Sequence, residues 1–131
     1  MSEQKGLRYN TNKKEWGLLH YKSLENIIDV LMYGAHKYSI FKDDDGKEIK
    51  GVDITPEEAS KLILVSSGKN NWQLGLDKRQ ILESMQRHLA ALLDGEEIDK
   101  ESLLHHIGHI GCNYLFYSFE LLKEQRIADF Q

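Results

Sequence analysis

The chain has one cysteine, one proline and a net charge of only −4 in 131 residues. A single thiol excludes a disulfide within the chain. Cys112 sits in an apolar helical pattern and reads as a small core residue. The lone proline, Pro56, suits a helical protein with few turns. No stretch approaches the ~20 apolar residues that a membrane span needs. No signal-peptide pattern opens the chain, so the expectation is a cytoplasmic protein without a membrane partner. The charge balance gives no footprint for wrapping nucleic acid. A small polyanion held by a local basic cluster or by metal ions stays open. Internal repeats and low-complexity tracts are absent. With 40% hydrophobic and 29% charged residues, residues 1–131 read as one ordinary globular domain.

Histidine is concentrated rather than scarce. Four of the six histidines fall between Asn71 and Asn113. This stretch also carries Glu83, Arg87, Glu96 and Asp99, so groups able to bind metal or phosphate are dense here. Asp77 and Gln80 open a helix that Gly95 ends. Its apolar stripe is Ile81, Leu82, Met85, Leu89, Leu92 and Leu93. Glu83–Arg87 and Ser84–His88 lie outside that stripe at a spacing of four. Asp99 then reads as the cap of a long helix, about 100–124, followed by a frayed tail after Arg126. His106, His109 and Asn113 share one stripe of it. Gly108 and Gly111 are costly in a helix interior and imply a close neighbour. A satisfied buried cluster and a ligand site are both compatible with these histidines.

Upstream, Arg8, Lys13 and Lys14 are interleaved with Tyr9 and Trp16. This is either a solvated arm or one that closes over an anion. Ser23 reads as the cap of a helix running to about Tyr38, with Glu25 and Asp29 on one face. Gly34, inside this helix, implies a close backbone or ligand. Residues 39–54 have the shape of a hairpin with its turn at Asp45-Gly46. The Asp43–Asp45 run lacks the ligand spacing of an EF-hand. Thr55-Pro56-Glu57-Glu58 starts a helix expected to reach Ser67 and to stop at Gly68. The fold class is therefore mainly α: a bundle of four to five helices with a small β-hairpin insertion, about 39–70.

Five motifs occur in order: G-A-H-K-Y at 34–38, N-N-W-x-x-G at 70–75, E-S-x-x-R-H-L at 83–89, G-E-x-I-D-x-E-S at 95–102, and H-x-x-H-x-x-x-N at 106–113. Together they resemble a phage-associated family of dATP/dGTP diphosphohydrolase N-terminal domains, related in architecture to MazG-like all-α nucleotide pyrophosphohydrolases. The resemblance covers about residues 5–120. It implies metal-dependent splitting of a purine (deoxy)nucleoside triphosphate into monophosphate and pyrophosphate. It also implies a small-molecule nucleotide partner, a homodimer or homotetramer, and the cytoplasm of a bacterial host if the protein is phage-encoded. Residues 39–70 depart from the family pattern, as does Leu103 in place of a glycine. The paired E-x-x-E and E-x-x-D signatures of MazG enzymes are missing.

On that resemblance the expected metal ligands are Glu83, His106 and His109, holding Mg or Mn. His88 and Asp29 are the catalytic candidates. Lys37, Arg87, Arg8 and Lys13 would hold phosphate. Asn71, Trp72 and Asn113 would meet the base. The alternative is a non-catalytic protein that binds or sequesters a nucleotide. The last helix is apolar on nearly all sides, as a helix partly buried in a partner subunit would be.

Overall fold

The computed structural model describes residues 6–8 and 12–130, with side chains to 128. Residues 1–5 and the Tyr9–Thr11 part of the basic arm lie outside the described residues. Among the described residues, four α-helices and three strands follow in chain order: α1 (Glu25–Lys37), β1 (Ile40–Lys42), β2 (Glu48–Lys50), α2 (Pro56–Ala59), β3 (Ile63–Ser66), α3 (Lys78–Leu93) and α4 (His106–Phe130). Both α1 and α3 pack against α4. None of the described helices is long and apolar enough to cross a membrane.

Glycine makes the α1–α4 contact possible. A Cβ on Gly108 would run into the Asn26 carbonyl oxygen of α1 and come within 2.9 Å of Val30 Cγ2. A Cβ on Gly111 would sit 2.5 Å from Ile27 Cγ1. The close approach expected for these two glycines is therefore a helix crossing. Cys112, next to Gly111, is fully buried, with its thiol donating to the Ile27 carbonyl at 3.3 Å. Burial pushes that thiol up to about 12, which makes it an inert packing group. Gly34 behaves differently. Nothing lies within 4 Å of its Cβ position, which opens onto a cleft.

The insertion departs from a hairpin followed by a long helix. The hairpin is present: β1 and β2 pair antiparallel, Asp43 Oδ1 accepts from the Asp45 and Lys47 amides, and Gly46 adopts φ +81°. Thr55 and Glu58 form the expected capping box, but α2 lasts only four residues. The chain then extends, and β3 pairs with β1 in a sheet of order β2-β1-β3. Ile63, Leu64 and Val65 favour a pleated surface, and the available edge of β1 outweighs the helix start. Ser39 fastens both ends of this insertion to α1. Its hydroxyl donates to Ala35 O at 2.7 Å and accepts the Gly68 amide at 2.9 Å. Its carbonyl accepts the Gly51 amide at 2.8 Å.

Three helix boundaries also differ. Ser23 does not cap α1; its hydroxyl bonds His20 Nδ1 at 2.6 Å, and a 3₁₀ turn, Tyr21–Leu24, leads into the helix. The last helix begins at His106, not near residue 100, and continues to Phe130 rather than fraying after Arg126. Asp99 is the reason for the late start. Its carboxylate accepts from both the Ser102 amide and the Ser102 hydroxyl at 2.8 Å. Its backbone exchanges bonds with Leu103 and Leu104, closing a tight turn in place of a first helical turn.

Candidate functional site

Local chemistry explains how the site is assembled. Asp77 accepts the Gln80 amide and starts α3. At the other end Gly95 takes φ +90°, its amide bonds Leu92 O, and the Glu96 amide bonds Ala91 O. This is a Schellman stop. It reverses the chain beside α3 and delivers Glu96 and Asp99 to the start of α4. His88 from α3 and His106 and His109 from α4 meet there. The result is a cleft of about 610 Å³ also bordered by Tyr33, Lys37, Arg87, Glu101 and Asn113.

Two linked histidine arrangements occupy its floor. His88 Nδ1 and His106 Nδ1 are 2.7 Å apart, so one ring donates and the other must be unprotonated at that nitrogen. His106 is 4% exposed, and its Nε2 has no hydrogen-bond partner. The nearest carboxylate oxygen, Glu96 Oε2, is 3.7 Å away. Such an orphaned atom is unusual in a folded interior. His88 also stacks on His109, with centroids 4.3 Å apart and planes at 3°. His109 Nε2 lies 2.7 Å from Ser102 Oγ and 3.6 Å from Asp99 Oδ2. The Ser102 hydroxyl has one proton and gives it to Asp99. His109 Nε2 therefore donates to the Ser102 oxygen, leaving the lone pair on Nδ1.

The electrostatics favour neutral rings beside a charged carboxylate. Burial first, then the neighbouring His109 and His106, hold His88 below the usual imidazole range. Burial also depresses His109, and Asp99 opposes this only in part. Burial alone would raise the Asp99 carboxyl, but the two Ser102 hydrogen bonds and the facing His109 and His88 outweigh it and pull it down. His88, Asp99 and His106 each offer one ligand atom, all within 4.8 Å of one another. Two imidazoles and an ionised carboxylate, with an unsatisfied buried nitrogen, fit a divalent cation.

A pH prediction follows for the metal-free protein. A group with a depressed folded pKa binds fewer protons when folded than when unfolded. The groups facing His88 are His106, His109, Asp99 and Arg87, and their net effect adds to burial. Stability is expected to be fully present above the ordinary imidazole range and to fall as pH drops below 6.5, through the folded values of His88 and His109. Urea midpoints measured from pH 8 to 5 check this, and His88→Gln with His109→Gln should flatten the profile.

Only some of the candidates from the sequence converge. His88, His106, His109, Asn113, Lys37 and Arg87 border the cleft. Lys37 is paired with Glu101 at 3.0 Å, and this bond raises its pKa. Glu83 does not pair with Arg87; it bonds Arg79 Nε at 3.3 Å on the outer side of α3. Asp29 borders a different pocket, Arg8 and Lys13 are exposed, and Asn71 lines a small pocket of about 100 Å³. Trp72 packs its indole on Phe116 and Phe119, with centroids 5.2 and 5.0 Å away. Asn113 donates to Ser84 Oγ and to His109 O. Asp99 and Ser102 are the residues whose part was missed. The G-E-x-I-D-x-E-S motif signalled them, but Asp99 also matched a helix cap.

Neither the curated proteins nor the solved structures hold a significant match to this chain. A family model does match, over residues 3–129: dATP/dGTP diphosphohydrolase, N-terminal. That span takes in every residue of the cleft, and the chain belongs to this family.

Proposed function

We propose that the chain hydrolyses a purine deoxynucleoside triphosphate to the monophosphate and pyrophosphate, using a divalent cation held by His88, Asp99 and His106. The observation that carries the reading is the cluster in which His88, Asp99 and His106 each offer one ligand atom, with His106 also holding an unsatisfied, buried Nε2. The family name supplies the substrate class and the reaction type. Magnesium or manganese bound there would neutralise phosphate oxygens and lower the pKa of a coordinated water. The protein's own groups supply the rest. Arg87 and Lys37, which border the cleft, are the candidates to hold phosphate oxygens. His109, neutral and fixed through Ser102 with its lone pair on Nδ1, is the candidate acceptor for the proton of the attacking water. Water adds to the α-phosphorus, the bond to the bridging oxygen breaks, and pyrophosphate departs with that oxygen. Chelation with EDTA should abolish turnover and manganese should restore it. Recovery of intact dATP and dGTP from metal-loaded protein after long incubation would instead favour a sequestering protein.

We also propose a homo-oligomer. Tyr114, Leu122 and Ile127 on α4 are each at least 60% exposed. An interface between copies would cover these apolar side chains. Light scattering should give two or four times the chain mass; a value of 15.2 kDa would refute this.

A further inference from the structure

A second pocket adjoins the histidine cleft. It measures about 680 Å³ and lies between α1, the segment after β2 and the 98–105 turn. Its walls are mainly apolar: Met32, Val52, Ile54, Leu103 and Leu104, with Asp29 at one side. Tyr33 and Lys37 of α1 border both this pocket and the cleft.

From this juxtaposition we infer that the second pocket receives the purine ring of the nucleotide whose phosphates occupy the histidine cleft. The inference rests on the proposed reading of that cleft. One turn serves both sites. Asp99 faces the histidines, while Leu103, four residues later, lines the second pocket. The Leu103 amide bonds Asp99 O at 2.8 Å, and Leu103 is held at φ +62°. That conformation is uncommon for a non-glycine residue. Leu103 is nevertheless 75% exposed, so burial does not account for a leucine at this position. A flat apolar ring against Leu103, Val52 and Met32 would cover three side chains that are each more than half exposed. Asp29 supplies an acceptor at the same pocket. Adenine and guanine each carry an exocyclic amino group that a carboxylate can accept from. Trp72 is unsuited to this task because its indole is already packed on two phenylalanines.

The test compares binding of dATP, dGTP and inorganic tripolyphosphate, each with manganese, by titration calorimetry. Leu103→Gly suits the local φ, and Val52→Ser is at an exposed position, so both variants should fold. Each is expected to weaken dATP and dGTP on the order of tenfold while leaving tripolyphosphate unchanged. Asp29→Ala is expected to weaken the two purine nucleotides in the same selective way. Unchanged dATP binding in Leu103→Gly and Val52→Ser, with tripolyphosphate still bound, overturns the purine pocket alone. Equal loss of dATP and tripolyphosphate also overturns it. Failure of the wild-type protein to bind tripolyphosphate removes the reading of the cleft, and the purine pocket falls with it. A change in molecular mass caused by Leu103→Gly would reassign the pocket to contact between copies.

Discussion

Asp99→Asn is expected to lower kcat for dATP and dGTP on the order of 10³-fold with little loss of fold. The substitution keeps the shape of the side chain. A carbonyl oxygen remains to accept from Ser102, so the turn between α3 and α4 can still close. What disappears is the negative charge among His88, His106 and His109, which the proposed cation and a proton-accepting imidazole would both require. His106→Ala should cost a similar factor, because it removes the buried nitrogen that lacks any other partner. Glu83→Ala decides between two ligand sets. Glu83 makes a partly exposed ion pair with Arg79, worth about 0.5 kcal/mol or less, and its loss should leave kcat within about twofold. Steady-state kinetics on the three variants, with circular dichroism as a check of fold, measures all of this. A large loss in Glu83→Ala together with wild-type turnover in Asp99→Asn would place the reaction elsewhere.

Gly108→Ala is expected to destabilise the protein by about 3 kcal/mol, whereas Gly34→Ala should stabilise it by about 0.5–1 kcal/mol. Both glycines are in helix interiors, so intrinsic propensity favours alanine at both. The surroundings decide the sign. At Gly108 the added carbon would strike the Asn26 carbonyl oxygen and crowd Val30, and both belong to a packed neighbouring helix. Relief would require α1 and α4 to separate, which would also disturb His106, two residues away. At Gly34 the added carbon meets nothing within 4 Å. A loss of 3 kcal/mol is a large share of the 5–15 kcal/mol that typically holds a domain together. Urea denaturation at neutral pH reads both effects. Near-equal midpoints for the two variants would contradict the close helix crossing.

The helix-interior glycines show how far a sequence can be read. Gly34, Gly108 and Gly111 all signalled a helix that tolerates a conformational penalty for some reason. Whether that reason is a packed helix or an open cleft depends on the partner's position, which local spacing does not encode. Helical periodicity located α1, α3 and α4, and the capping residues Thr55 and Asp77 were right to the residue. The long helix expected after Thr55 failed because a distant segment, β1, offered Ile63–Ser66 a better partner than the helix itself. Asp99 failed in a related way. Aspartate before a helical pattern fits a cap, and the same side chain can tie off a turn that postpones the helix by several residues. The histidines His88, His106 and His109 were recognisable from their density. Asp99 was visible as one of the metal- or phosphate-binding groups of that stretch, but its pairing with these histidines was not, because it arrives through a loop reversal that Gly95 and Glu96 create.

The most direct test of the account is to follow dATP by phosphorus-31 NMR in the presence of the protein and manganese-free magnesium buffer. The account predicts that the three triphosphate resonances disappear together. They should be replaced by one deoxynucleoside monophosphate signal and one pyrophosphate signal in equal molar amounts, and none of this should occur with Asp99→Asn. Intact triphosphate, or release of orthophosphate with a diphosphate left behind, would contradict it.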